Sequence, residues 1–355
     1  MRFLGLFPSY SLGACLGVLL YTGAAVADVY DGGCTGSSSV KLRIGNGGAG
    51  QSGLVKELSD RFIKNQTDDC RSHNLFKVEW VKGDTTETIS NMGAGKVDIG
   101  ITYSAAAEEI AIKSGTAKGC KYRGNATSGM PCFGECKGHT ERPCYTFRDH
   151  FYLAGPKNNT PEITSSDDIS VTFSKLYNAA ENGTARFLSR YDKSATNIKD
   201  AQLWINIGQV PWATAYSKWY HQYVAYPVQA LKAAILLEEF TITDRGTFLT
   251  LRDENEGLTN RAKIYKSGDK VSELLNPADI IISTKAKGET DQLAMAFIKW
   301  ALGGEGQAVI ANFQKKDKYC LYKGYPGGPT VSPSCKWDIE GQSREPDRLD
   351  GQFDL

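Results

Sequence analysis

The chain has 355 residues, 41 of them basic and 40 acidic, with 41% hydrophobic residues. A balance this close to neutral argues against nucleic acid or an anionic membrane as the main partner, since it supplies no basic groove. The length exceeds what one comfortable core holds and predicts two lobes.

Residues 1–27 read as an export signal. Arg2 supplies the positive end, 12–20 is an apolar core too short to span a bilayer, and Ala25-Val26-Ala27 is a small-x-small cleavage site. Removing it takes only Arg2 from the charge and leaves eight cysteines: Cys34, Cys70, Cys120, Cys132, Cys136, Cys144, Cys320 and Cys335. An even number in an exported chain predicts up to four disulfides. Cys320 and Cys335 would close one local loop, and Cys34 and Cys70 each precede a candidate strand. Cys132 and Cys136, with Cys120, Cys144 and His139 nearby, also have the makings of a zinc cluster; an oxidising compartment favours disulfides. Asn65, Asn125, Asn158 and Asn182 each head an Asn-x-Thr acceptor for glycosylation. Export, cystines and sequons together predict a secreted, extracellular glycoprotein of a eukaryotic, fungal source. No later apolar run has membrane length and 344–355 is polar, so no membrane anchor is expected.

In chain order, Val40-Lys41-Leu42-Arg43-Ile44 alternates as a half-buried strand and runs into Gly45-Asn46-Gly47-Gly48-Ala49-Gly50. A helix over 52–64 follows, with Leu54, Leu58, Phe62 and Ile63 on one face. Glycines let backbone approach a ligand, which makes Asn46, Gly47, Gly48 and Ser52 candidate contacts. The loop lacks the lysine of a P-loop and the acidic partner of a dinucleotide fingerprint. A strand over 76–81, a helix over 85–92, a strand over 97–102 and a helix over 105–113 give the rhythm of parallel βαβ units. Residues 117–147 break it with a cysteine- and glycine-rich excursion. Phe151-Tyr152-Leu153-Ala154 resumes as a strand, ended by Gly155-Pro156.

A helix over 168–182 and an apolar strand end at 185–188 come next. Arg190 then stands at a turn, and Ser194-Ala195-Thr196 opens another helix. A strand, a polar loop and a helix start make an anion site: free N–H groups and the helix dipole favour negative charge, Arg190 adds a forked cation, and Ser194 and Thr196 add hydroxyls. The aromatic stretch 201–223 reads as helical and as core packing, followed by a helix over 228–239. Thr243 or Asp244 caps a helix over 245–251; Asp244 and Arg245 read as a bracing pair, and Thr247 is a further candidate contact. Leu275-Asn276-Pro277 reads as a turn, Ile280-Ile281-Ile282 as a buried strand, and 291–302 and 305–313 as closing helices. The charged segment past Cys335 reads as a flexible tail.

Several of these stretches carry a resemblance: Ser52-Gly53-Leu54, Ala106-Ala107-Glu108-Glu109, Gly155-Pro156-Lys157, Ser189-Arg190 with Asp192, Ser194 and Thr196, and Thr243-Asp244-Arg245-Gly246-Thr247. In this order, over about 40–313, the chain resembles the tungstate-binding proteins of ABC importers, within the type II periplasmic-binding-protein superfamily. It departs from their Thr/Ser-rich first loop, here Gly45-Asn46-Gly47-Gly48, and from their Gly-Thr-His ending, here Ala195-Thr196-Asn197. The resemblance implies an α/β fold of two lobes, each a mostly parallel sheet flanked by helices, with the ligand cleft between. Lobe one is expected over 28–155 and 278–335, with 117–147 inserted, lobe two over 156–277, and the tail over 336–355. It further implies a small tungstate- or molybdate-like oxyanion held by Arg190, Ser194, Thr196 and the 46–52 loop, with no catalysis, metal or cofactor. Other readings are a binder of phosphate, sulfate or an organic acid, and an interaction protein with a degenerate cleft. A hydrolase has least support: no His of His73, His139, His150 and His221 joins a nucleophile–base motif.

Overall fold

The alternation at 40–44 does fold as a strand, which continues to Asn46. The computed structural model describes residues 28–36, 38–122, 131–132, 140–269, 271–316 and 318–339. After β1 (Asp28–Tyr30), β2 (Val40–Asn46) buries Leu42 and Ile44 and then enters the glycine loop. The helix expected over 52–64 is two helices, α1 (Gly48–Ser52) and α2 (Leu54–Gln66). Gly53 at φ 93° separates them, a left-handed turn that glycine makes without strain. On α2 the stripe Leu54, Leu58, Phe62 and Ile63 is fully buried. β3 (Lys77–Lys82), α3 (Thr85–Gly93), β4 (Ile99–Thr102) and α4 (Ala105–Lys113) follow, and β2 pairs in parallel with both β3 and β4.

The excursion contributes short strands β5 (Ala117–Lys118), β6 (Cys120–Tyr122), β7 (Pro131–Cys132) and β8 (Thr140–Arg142), with β6 between β7 and β8 in a small antiparallel sheet. Asn125, Cys136 and His139 lie outside the described residues, as does the side chain of Cys132. Disulfides join Cys34 to Cys70, Cys120 to Cys144, and Cys320 to Cys335. β9 (Cys144–Pro156) starts inside the stretch read as excursion and is the spine of the molecule.

Beyond it come α5 (Ile169–Glu181), β10 (Phe187–Ser189), α6 (Ala195–Asn206) and β11 (Tyr220–Gln222). Next are α7 (Pro227–Leu236), β12 (Thr241–Asp244), α8 (Arg245–Glu254), α9 (Glu256–Thr259) and β13 (Ala262–Ser267). The chain then makes β14 (Leu275–Ser283), α10 (Gly288–Leu302), α11 (Gly304–Ala311) and β15 (Lys323–Gly324). The main sheet runs β1-β3-β2-β4-β14-β9-β12. Pairing is parallel around β2 and between β10 and β11; β14 is antiparallel to β4 and β9, and β12 and β13 to β9. Among the described residues, no helix is long and apolar enough to cross a membrane.

Two large cores give the two lobes. One gathers Leu42, Ile44, Phe62, Ile280 and Phe297; the other gathers Phe173, Phe187, Leu203 and Trp204. Leu231, Ile235, Phe248 and Leu251 belong to the first core. α8 thus faces the first core, while α7 lies between the lobes, with Ala230 and Ala234 against Leu188 of β10. Three expectations are corrected. The aromatic stretch 201–223 is not one helix: α6 stops at Asn206 and Tyr220–Gln222 is a strand beside β10. Leu275-Asn276-Pro277 is no turn but the start of β14. Of the segment read as a flexible tail, Trp337 and Ile339 pack while Lys336 and Asp338 are exposed, and 340–355 lie outside the described residues: Arg245 donates to the carbonyl of Trp337 at 2.6 Å and stacks 3.9 Å from its ring centre.

Candidate functional site

Arg190 follows directly on β10, and its loop is tightly wound. Tyr191 at φ 49° and Lys193 at φ 63° are left-handed, which costs a non-glycine residue of order 1–3 kcal/mol. Asp192 Oδ1 accepts from the Ser194 N–H at 3.0 Å, and Ser194 Oγ accepts from the Asn197 N–H at 3.2 Å, which caps α6. This local hydrogen bonding holds the loop in its strained form. The guanidinium is aimed by tertiary contacts: Nε donates to the Ala225 carbonyl at 3.0 Å, and Nη1 lies 3.5 Å from Thr196 Oγ1. Nη2 donates to both carboxylate oxygens of Asp84, at 3.1 and 3.2 Å, and sits 2.5 Å from Asp192 Oδ2.

Facing it is a pocket of about 30 Å³, room for one or two waters. The pocket brings together Gly47, Gly48, Arg190, Ser194 and Thr196 of the predicted contacts. The other three do not line it, each for a visible reason. Asn46 ties the loop to its neighbours: its Nδ2 donates to the Ile101 carbonyl and its Oδ1 accepts from the Gly50 N–H, both at 2.7 Å. Ser52 is buried, donating to the Ala49 carbonyl and accepting from the Tyr322 hydroxyl. Thr247 donates to Asp244 Oδ2 at 2.7 Å, within the cap of α8.

The same walls carry groups that the sequence reading did not single out: Asp84, Tyr103, Asp149 and Asn276; Asp244, read only as a cap or brace, lines them too. Asp84 lies in the β3–α3 loop, Asp149 on β9 and Asn276 on β14. The polar triplet Arg148-Asp149-His150 inside the aromatic-rich run of β9 was the sequence signal for Asp149. Burial pushes the Asp84 carboxyl up to about 6 against the opposing pull of Arg190. Asp149 is driven far above the carboxylate range, first by burial and then by Asp244. Asn276 Oδ1 is buried with no hydrogen-bond partner. Arg245 does not pair with Asp244 as expected. It donates instead to the Cys320 carbonyl and the Tyr152 hydroxyl, at 2.9 and 2.7 Å. Among the described residues, no group of three or more His, Cys, Asp or Glu is placed to hold a metal ion.

Two lobes thus meet at a small polar pocket. Residues 35–305 match the family described as PBP superfamily domain. The chain belongs to the PBP superfamily. It is similar to a solved periplasmic protein described as a candidate metal binder, with 48% identity, a TM-score of 0.68, and coverage of 84% of this chain and 99% of that one. It is also similar to a candidate anion-binding protein of an ABC transporter from Haloferax volcanii, 29% identical over 165 residues, covering 46% of this chain and 45% of that protein. The tungstate-binding protein TupA of Campylobacter jejuni is 28% identical over 141 residues, covering 39% of this chain and 50% of TupA. The chain spans about half the length of these two curated relatives.

Proposed function

We propose that the protein is a secreted solute-binding protein that takes a small oxyanion, tungstate- or molybdate-like, in the cleft between its lobes, without chemistry. The observation that carries this reading is Arg190 beside Ser194 and Thr196 at the start of α6, across one pocket from Gly47 and Gly48. Hydrogen bonds to a charged ligand contribute about 1.5–3 kcal/mol each, and this constellation offers a guanidinium, hydroxyls and backbone N–H groups. The relatives named for anion and tungstate binding support the ligand class. The disulfides among the described residues suit the oxidising compartment that residues 1–27 imply.

The test is thermal unfolding of the purified protein with tungstate, molybdate, sulfate or phosphate, and with manganese or zinc as comparison. A ligand at about a thousand times its Kd stabilises by roughly 4 kcal/mol. A rise with the oxyanions alone supports the proposal. A rise with the divalent cations alone replaces it with the activity for which the 48% identical relative is described. No rise with any of them favours an interaction protein whose cleft takes no small ion.

A further inference from the structure

The positive group expected to meet the ligand already has a carboxylate in place. Asp84 comes from lobe one and Arg190 from lobe two, and Arg190 Nη2 reaches both Asp84 oxygens at 3.1 and 3.2 Å. We infer that Asp84 is a tethered stand-in for the anion: it closes the cleft by holding Arg190, and a soluble anion binds only by displacing it. This inference rests on the oxyanion reading of the cleft and names its selectivity residue.

Three observations carry it. Asp84 stands at the N-cap position of α3, yet its side chain makes no capping bond. At the same position Asp168, Ser194, Asp244 and Asn255 all cap their helices. The Asp84 carboxylate has left the local role that its position favours and turned across the cleft. Next, the space it occupies depends on a glycine. A Cβ at Gly47 would lie 3.2 Å from Asp84 Oδ1 and 3.3 Å from the Gly83 carbonyl. A side chain there would crowd the carboxylate, so the position that Asp84 takes requires a glycine opposite it. Finally, a neighbouring contact also crosses between the lobes: Thr86 Oγ1 donates to the Lys193 carbonyl at 3.2 Å, and beside it Lys82 Nζ sits 3.7 Å from the centre of the Tyr226 ring at the start of α7.

Charge then makes the latch titratable. Arg190 and Asp192 face Asp84 from the β10–α6 loop, Lys82 from β3 and Tyr226 from the turn before α7, with Glu87 of α3 beside Tyr226. While it holds Arg190, the Asp84 carboxyl is raised to about 6, mainly by burial; displaced into water it returns towards the ordinary carboxylate range. Displacement therefore releases a proton at pH 5 but not at pH 8, and anion affinity falls as pH falls.

The experiment compares wild type, Asp84→Asn and Gly47→Ala, each full length, by calorimetric titration with sulfate, whose charge is constant between pH 8 and 5. Molybdate is added at pH 8, and small-angle scattering is recorded without anion. We expect Asp84→Asn to bind at least tenfold more tightly at pH 8, Gly47→Ala to show a smaller gain, and wild type to lose several-fold in affinity between pH 8 and 5. Asp84→Asn should show no such pH loss. Equal affinities and parallel pH profiles for wild type and Asp84→Asn overturn the inference and leave the oxyanion reading standing. If no protein binds either anion but Asp84→Asn has the larger radius of gyration, the latch stands and the oxyanion reading falls. If none binds and the radii agree, both fall.

Discussion

Arg190 is held by more partners than a surface cation needs. Its side chain is 4% exposed, with Asp84 at 14% and Asp192 at 7%. Replacing it with alanine leaves two buried carboxylates facing one another without a counter-charge, a loss of about 3–5 kcal/mol. Arg190→Ala should therefore lower the unfolding midpoint and abolish any oxyanion-induced rise; a variant with wild-type anion affinity would remove Arg190 from the site. Arg190→Lys keeps the charge but not the fork that reaches Ala225 and Asp84 together, so it should recover stability only in part. Behind this loop, Asp200 accepts from Ser189 Oγ at 2.8 Å, and burial raises its carboxyl to about 8. Its folded pKa lies above the unfolded 3.8, so the native state holds a proton that the unfolded chain releases. That contribution to stability is present below pH 4 and drains away as pH rises to about 8. Asp200→Asn mimics the protonated acid and should raise the midpoint at pH 8 by about 2–4 °C while changing little at pH 4; equal shifts at both values would mean that Asp200 is not protonated in the fold. At this scale the sequence made Arg190, Ser194 and Thr196 legible because they are neighbours. Asp84, Asp149 and Asn276 come from distant strands and loops, and only the fold assembles them.

Elements were legible where one local rule governs them. α4 has the bounds read from its apolar and small residues, 105–113, and α6 begins after the Ser194 cap that marked it. β11 was missed because Trp219 and Tyr220 sit in an aromatic run that suits a helix as well as a strand; its parallel pairing with β10 decides the matter. Pro277 suggested a turn because proline cannot donate. In β14, however, Pro277 faces β9 alone, since pairing with β4 begins only at Asp279. The missing N–H then breaks no ladder on the second side. The glycine loop is fixed by packing rather than by turn chemistry at Gly50. A Cβ there would come within 2.1–2.3 Å of the Trp80 indole, whose Nε1 donates to the Asn46 carbonyl at 2.8 Å. Gly50→Ala forces that ring and the loop apart, a cost of about 3 kcal/mol in denaturant unfolding. It should also weaken anion binding, because Gly47 and Gly48 belong to the same loop; a variant of unchanged midpoint would show that the ring moves freely.

The whole molecule adds a strap that no local pattern announced. Past α11 the chain returns through Cys320 and Cys335 and lays Trp337 on the middle of β9. Arg245 and Lys323 each lie 3.9 Å from the Trp337 ring, its Nε1 donates to Asp269 Oδ1 at 2.7 Å, and the His150 ring meets it edge-on at 5.0 Å. These partners come from α8, β15, the turn after β13 and β9, so one side chain ties the C-terminal segment to the strand shared by both cores. Desolvated cation–π contacts reach about 2 kcal/mol, and truncating a packed tryptophan costs about 3–5 kcal/mol. Trp337→Ala should lower the unfolding midpoint by several degrees. Trp337 does not line the pocket, so the rise that a bound anion produces should survive in the variant. His150 gives the second readout. Burial holds its imidazole down to about 4, so it is neutral in the fold at pH 6, where a free histidine is largely protonated. Opening the strap to water should bring the His150 pKa back towards 6.5, measurable by NMR titration. A Trp337→Ala protein that loses stability but keeps His150 near 4 would place the strap's effect elsewhere than over β9.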